Sequence, residues 1–237
     1  MKTVVISGAS SEIGKFCALK FLQNNYFVYN LDINDCNSLI NKDNYRYIKA
    51  DVKDHESIRS AIREIVKERY EIDILIVSAE KHLSANVEDT TDEELFDILS
   101  INLCGCFWLI KETIPHMRKC RKGKIITIGS DQCLITKNNL SVYGMTKAAL
   151  LSLTKSIALD YAKYNITANC ISAGTIDTPP YKKNISAESC DLTMKAIEQE
   201  KATQQPIARV GRPEEVAILA FFLASEKVNG QFLKPPY

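Results

Sequence analysis

Tyr143 and Lys147 stand four residues apart in "SVYGMTKAALLSLTKSIALDYAK" (141–163), a run whose apolar spacing predicts a helix. Residues at i and i+4 of a helix share a face. An ammonium beside a phenol stabilises phenolate and brings the tyrosine towards the working range of an acid/base. Such a pair can relay a proton to or from a substrate oxygen. Tyr45 and Lys49 in "YRYIK" repeat the spacing, but that run reads as a strand. On a strand, residues four apart are about 13 Å distant at a rise of about 3.3 Å each, so the second match is accidental. Ser130 closes the strand-like run "IITIGS", thirteen residues before Tyr143. A hydroxyl at that carboxyl end can donate to a carbonyl or alkoxide oxygen and hold it for proton transfer. Asn102, in "SINLCG", is polar within an apolar helical run. It is either a satisfied buried amide or the anchor of a bound water in a proton path.

A second set of residues points to a nucleotide. "ISGASSEIGK" (6–15) follows a short apolar run and opens an amphipathic one. That is the setting a phosphate-binding glycine turn requires. Gly8 permits a tight turn, Gly14 lets helix pack closely on strand, and N–H groups at the helix start face an anion. Asp32 ends the next strand, eighteen residues past Gly14, where a carboxylate can accept from ribose hydroxyls. Glu12 is the odd residue of the turn. With Ser10 or Ser11 as N-cap, Glu12 falls in the first helical turn, where backbone φ is negative and no glycine is required. A carboxylate there favours the helix by about 0.3–1 kcal/mol through the dipole. Its repulsion of a diphosphate stays small if it points into solvent.

These residues need a scaffold that alternates strand and helix. "KTVVIS", "YFVYNLD", "YRYIKADV", "IDILIVSA", "GKIITIGS" and "ITANCISAG" read as strands. Between them lie helix-length runs, among them "HESIRSAIREIVKERY" and the long "DEELFDILSINLCGCFWLIKETIPHM". This pattern predicts βαβ units and a parallel sheet: a Rossmann-like, doubly wound α/β fold with helices on both faces. With 237 residues and no linker or repeat, residues 1–237 are expected to form a single domain.

Composition narrows the function classes. Apolar residues make up 46%, charged residues 25%, and the net charge is +1, which gives no reason to expect nucleic acid. The basic cluster "HMRKCRKGK" (116–124) precedes the amino end of a strand, whereas open α/β sheets bind ligands at the carboxyl ends. It reads as a solvated helix end. No apolar stretch reaches membrane-spanning length. The 8 Cys form no C-x-x-C pair or zinc-spaced cluster, so no metal is expected. Cys17, Cys104 and Cys170 fall in apolar runs and are expected in the core. With no signal peptide, the thiols read as reduced and the protein as cytoplasmic.

Taken in this order, the residues resemble the short-chain dehydrogenase/reductase family over nearly the whole chain. "SGASSEIG" is similar to the family's TGxxxGxG turn with Glu12 in place of the middle glycine, and "YGMTK" to its Y-x-x-x-K motif. Asn102, Ser130, Tyr143 and Lys147 match the Asn-Ser-Tyr-Lys tetrad, and "SAGTIDTP" is similar to the PGxxxTP segment. The resemblance implies hydride transfer between a nicotinamide cofactor and a small carbonyl or alcohol substrate. Tyr143 is then the acid/base, Ser130 holds the oxygen, Lys147 binds the nicotinamide ribose and lowers the Tyr143 pKa, and Asn102 positions a relay water. It also implies a cofactor bed of Gly8, Ser10, Ser11, Glu12, Ile13, Gly14, Asp32, Asp51, Val52, Ser78, Ala79, Tyr143, Lys147, Gly174, Ile176 and Thr178. Asp51 meets the adenine, and residues 179–205 form a substrate lid. Asp32 favours NAD over NADP, because a carboxylate repels a 2′-phosphate. Three segments depart from the pattern, the first being "SAG", with Ala173 in place of proline. The family's NNAG is here "VSAE", which puts Glu80 near the cofactor groove, and the tail "FLASEKVNGQFLKPPY" lacks the usual Asp-Gly-Gly. A homodimer or homotetramer is expected, with the altered tail weighing against it. The alternative to an enzyme is a catalytically weak dinucleotide-binding sensor or scaffold.

Overall fold

The computed structural model describes residues 1–36, 38–39, 42–178 and 209–235, so the expected lid at 179–205 lies outside the described residues. Within them the chain runs β1 (Thr3–Ser7), α1 (Glu12–Gln23), β2 (Phe27–Asp32), β3 (Tyr45–Lys49), α2 (His55–Arg69) and β4 (Ile74–Val77). It continues through α3 (Asp92–Leu99), a π-helical turn (Ser100–Gly105), α4 (Cys106–Cys120), β5 (Gly123–Ser130) and α5 (Ser141–Asp160). It ends with β6 (Ile166–Ala173), α6 (Pro213–Ser225) and β7 (Phe232–Leu233). All seven strands pair in parallel, in the order β3-β2-β1-β4-β5-β6-β7.

The expected doubly wound sheet follows from its strands. β1 and β4 are buried along their whole length, as strands covered on both faces must be. One face packs under α1 and α6, with Phe21, Val216 and Ala220 in its core. The other lies under α2, α4 and α5. There Ile58, Ile62 and Ile65 of α2 are buried at helical spacing, each contributing about 1.5–3 kcal/mol. Asp54 starts that helix by accepting the Glu56 N–H at 2.9 Å.

The order reverses between β1 and β4, so the loops after these strands flank the switch point where such sheets bind ligands. The two loops touch. A Cβ on Gly8, whose φ is +77°, would lie 2.7 Å from the Ala79 Cα, so no other residue fits there. Ser7 Oγ accepts the N–H groups of Ser78 and Ala79 at 3.1 and 3.3 Å, fastening β1 to the loop after β4.

Two expectations are corrected, and one strand is added that the sequence did not reveal. The long helix expected from 92 to 117 is divided by the π-helical turn at Ser100–Gly105, which carries Asn102. An inserted residue of this kind leaves apolar spacing nearly unchanged, so periodicity does not reveal it. Cys104, expected in the core, is only half-buried, because it sits on that turn, while Cys17 and Cys170 are fully buried. The tail contributes a strand, β7, which pairs with β6 through Cys170 and Ile171.

Candidate active site

The glycine turn leaves β1 with its backbone committed. Gly8 N–H donates to Leu31, and both the N–H and hydroxyl of Ser11 donate back to the Gly8 carbonyl, the hydroxyl at 2.7 Å. Ser11, not Ser10, is the N-cap of α1 by position. Its hydroxyl is spent on Gly8, so the helix begins without a side-chain cap. Gly14 lies so close to the turn that a Cβ would stand 2.1 Å from the Gly8 carbonyl oxygen. Glu12 is the first residue of α1, as expected, and reaches along the helix to Lys15 at 3.8 Å.

Two side chains from β2 brace this turn. Asp32 accepts the Ser10 N–H at 3.1 Å and the Asn34 N–H at 3.3 Å. Asn30, which the sequence did not single out, is fully buried and accepts the Ala9 N–H at 3.1 Å. Its amide also donates to Tyr45 Oη at 3.0 Å, which gives the Tyr45 of the accidental match a structural post on β3. Further along the groove, Asp51 accepts the Lys53 N–H at 2.9 Å. Val52 is buried against Gly105, whose Cβ would meet the Val52 carbonyl at 2.7 Å. Gly174, Ile176 and Thr178 follow β6, where Ile176 pairs with Gly211 as an isolated bridge.

The catalytic candidates converge at the carboxyl ends of β4 and β5. Tyr143 and Lys147 share the buried face of α5, with Lys147 Nζ 5.5 Å from the Tyr143 ring centroid. Ser130 ends β5 beneath them; its hydroxyl accepts the Gln132 N–H at 3.2 Å, donates to the Asp131 carboxylate at 3.1 Å, and acts to favour the Tyr143 phenolate. The Asn102 side chain is a satisfied buried amide. It accepts the Lys81 N–H at 2.8 Å, donates to the Lys81 carbonyl at 2.9 Å, and reaches Thr146 Oγ1 at 3.3 Å.

Two residues in this centre were missed. Glu80, noted only as lying near the groove, pairs with the Lys147 ammonium and stands 3.5 Å from the Tyr143 hydroxyl. His82 lies tilted against the Tyr143 ring, centroid to centroid 4.8 Å. Burial, then the Glu80 charge, push the Tyr143 phenol well above the usual tyrosine range, against the pull of Lys147 and Ser130. Burial works against the Lys147 ammonium, but Glu80 and Tyr143 outweigh it and hold that pKa above its ordinary value. Lys147 does pull the Tyr143 pKa down, as expected, but burial first and the Glu80 carboxylate second outweigh it.

A dinucleotide needs an anion seat, a ribose acceptor and polar atoms along its bed. The uncapped start of α1 offers the first, and the half-buried Asp32 carboxylate the second. Ser78 Oγ, buried at the end of β4 without a hydrogen-bond partner, offers the third. The residues fit the group. Among the described residues no set of His, Cys, Asp or Glu is placed to hold a metal, and no helix is long and apolar enough to cross a membrane.

Known proteins share this sequence pattern and this fold. A family model described as "Enoyl-(Acyl carrier protein) reductase" matches residues 8–233. L-fucose dehydrogenase of Oryctolagus cuniculus is 33% identical over 229 residues, covering 95% of this chain and 79% of that protein. Thermoplasma acidophilum aldohexose dehydrogenase in ligand-free form superposes with a TM-score of 0.91 at 32% identity, covering 98% of this chain and 91% of that one. ElxO with NADP bound superposes at 0.90 with 29% identity, covering 99% and 96%. The chain belongs to the short-chain dehydrogenase/reductase family, oxidoreductases that move a hydride between a nicotinamide cofactor and a carbonyl or hydroxyl carbon.

Proposed function

We propose that this protein is an NAD(H)-dependent dehydrogenase or reductase of a small carbonyl or hydroxyl compound, with Tyr143 as its acid/base. The observation that carries the reading is the convergence of Tyr143, Ser130 and Lys147 at the carboxyl edge of the sheet, beside a glycine turn that fits a dinucleotide. No observation favours the sensor or scaffold reading.

Hydride chemistry at the nicotinamide C4 is what the cofactor supplies when bound. The start of α1 and the turn from Gly8 to Gly14 seat its diphosphate. Asp32 accepts from the adenosine ribose, with Asp51, Val52, Ser78 and Ala79 along the adenine half. Gly174, Ile176 and Thr178 line the nicotinamide end. Ser130 donates to the substrate oxygen and holds it within reach of Tyr143. In reduction the Tyr143 hydroxyl gives its proton to that oxygen; in oxidation the phenolate takes it. General acid–base catalysis of this kind contributes roughly 10²–10⁴-fold. Lys147 holds the nicotinamide ribose, and Asn102 fixes the loop beside it.

NAD is preferred because Asp32 repels a 2′-phosphate and no Arg or Lys occupies positions 9–13 to offset it. The protein works as a homo-oligomer in the cytoplasm, where the free thiols of its described cysteines stay reduced. Titration with NADH and with NADPH, followed by nicotinamide fluorescence, tests the cofactor. A carbonyl and alcohol panel tests the reaction, and aldoses come first in it because two of the relatives are named sugar dehydrogenases. Saturable NADH binding with turnover of at least one compound is expected; binding without turnover would favour the sensor.

A further inference from the structure

Glu80 has no part in the mechanism above, yet its carboxylate meets both Lys147 and the acid/base Tyr143. Its Oε2 pairs with the Lys147 ammonium and is placed to accept the Tyr143 O–H at 3.5 Å. The Lys147 side chain is 2% exposed, and its Nζ also donates to the Ile128 carbonyl at 2.9 Å. Glu80 is held from the next residue. Asn102 grips the N–H and C=O of Lys81, and its amide also donates to Thr146, the neighbour of Lys147. The carboxylate is thus built into the site while its outer edge stays open, the side chain being 33% exposed.

Two effects of this triangle run in the same direction. A carboxylate that accepts the Tyr143 O–H favours the phenol, and the same carboxylate answers the ammonium that would otherwise favour phenolate. Other groups surround the pair. Asp131, following β5, adds to the phenol side, Ser130 opposes it, and His82 lies against the ring from the loop after β4. Cys106 of α4 faces Lys147, and burial pushes its thiol up to about 12. Cys133 lies behind Lys147, its Sγ 3.1 Å from the Lys147 carbonyl, and a hydrogen bond from Cys170 holds its thiol below the usual range.

We propose that Glu80 is a positioning residue for the reaction: by clamping Lys147 and accepting from Tyr143, it keeps Tyr143 as the phenol. The site is then a proton donor poised for carbonyl reduction at neutral pH, and it takes up alcohol oxidation only in more alkaline solution. This inference rests on Tyr143 as the acid/base.

Glu80→Gln removes the charge and keeps the size. The acid limb of kcat/KM for alcohol oxidation is expected to move down by about one pH unit or more, and the alkaline limb of reduction to move with it. A second readout needs neither substrate nor cofactor. Near-ultraviolet phenolate absorbance of the apo protein, with the Tyr143→Phe protein subtracted, isolates the ionisation of Tyr143. It should lie above the ordinary tyrosine range in the wild type and fall in Glu80→Gln and Glu80→Gly. Unshifted limbs and an unshifted phenolate step in a folded variant overturn the proposal. So does a slower kcat at an unshifted profile, which is the mark of a proton relay or a merely structural role. If neither variant folds, Glu80→Asp, whose shorter side chain draws the carboxylate away from Lys147 and Tyr143, gives the readout: a lowered phenolate step supports the proposal and an unshifted one overturns it. A raised step that falls in the variants of a protein that turns over nothing would defeat the dehydrogenase reading while supporting the clamp.

Discussion

Glu12 and Glu80 both stand where the family's pattern has glycine, one beside the diphosphate seat and one beside the catalytic tyrosine. Their fates differ. Glu12 opens α1, and its partner Lys15 lies one turn along the same helix at 3.8 Å, both side chains about a third exposed at 32% and 28%. Such an exposed pair is worth about 0.2–0.5 kcal/mol, and salt screens it further. Glu80 reaches inward to an ammonium that is 2% exposed. Water screens little there, and the same side chain resets the protonation of the residue that does the chemistry. What a carboxylate does in place of glycine depends on the partner it reaches and on how dry that partner is.

Removing the two lysine partners should separate the regions most widely. Lys147→Ala is expected to lower turnover by roughly 100-fold or more and to loosen the cofactor, since the ammonium serves both. Lys15→Ala should leave turnover unchanged. Steady-state kinetics with a cofactor titration checks both, and equal effects would erase the contrast. Asn102→Ala probes what holds Glu80 in place. Losing the bonds to Lys81 and Thr146 should lower stability by about 1–3 kcal/mol in denaturant unfolding. At the diphosphate end, kcat/KM with NADH should exceed that with NADPH by roughly tenfold or more, and equal or better use of NADPH would remove Asp32 as the selector. Glu12→Gly should have the smallest effect. Cofactor Kd should tighten a few-fold, more at low salt, with a slight fall in apo stability of up to about 1 kcal/mol. Looser binding at both ionic strengths would mean that Glu12 contacts the cofactor instead of repelling it.

Much of this is legible in the amino-acid sequence. Buried parallel strands announce themselves as short apolar runs, and α2 as apolar residues at helical spacing. Tyr143 and Lys147 could be paired because a helix fixes what lies four residues on. Local rules stop where a contact joins distant segments. Glu80 and Lys147 are far apart in sequence, and only the order of β4 beside β5 brings them together. Asn30 looked like one polar residue in a strand until β2 was seen to pass beneath the glycine turn. His82 lies in a loop with no period to read, and the π-helical turn keeps the apolar pattern of the helices on either side.

A single-turnover experiment tests the central claim most directly. Wild-type and Tyr143→Phe proteins are saturated with NADH, mixed rapidly with a substrate from the panel, and followed by nicotinamide absorbance. With the fold and the Lys147–Glu80 pair retained, cofactor Kd should stay within about twofold while the hydride-transfer rate falls by roughly 100-fold or more. A Phe variant that transfers hydride at nearly the wild-type rate would contradict the assignment of Tyr143 as the proton donor, and with it the account of the site.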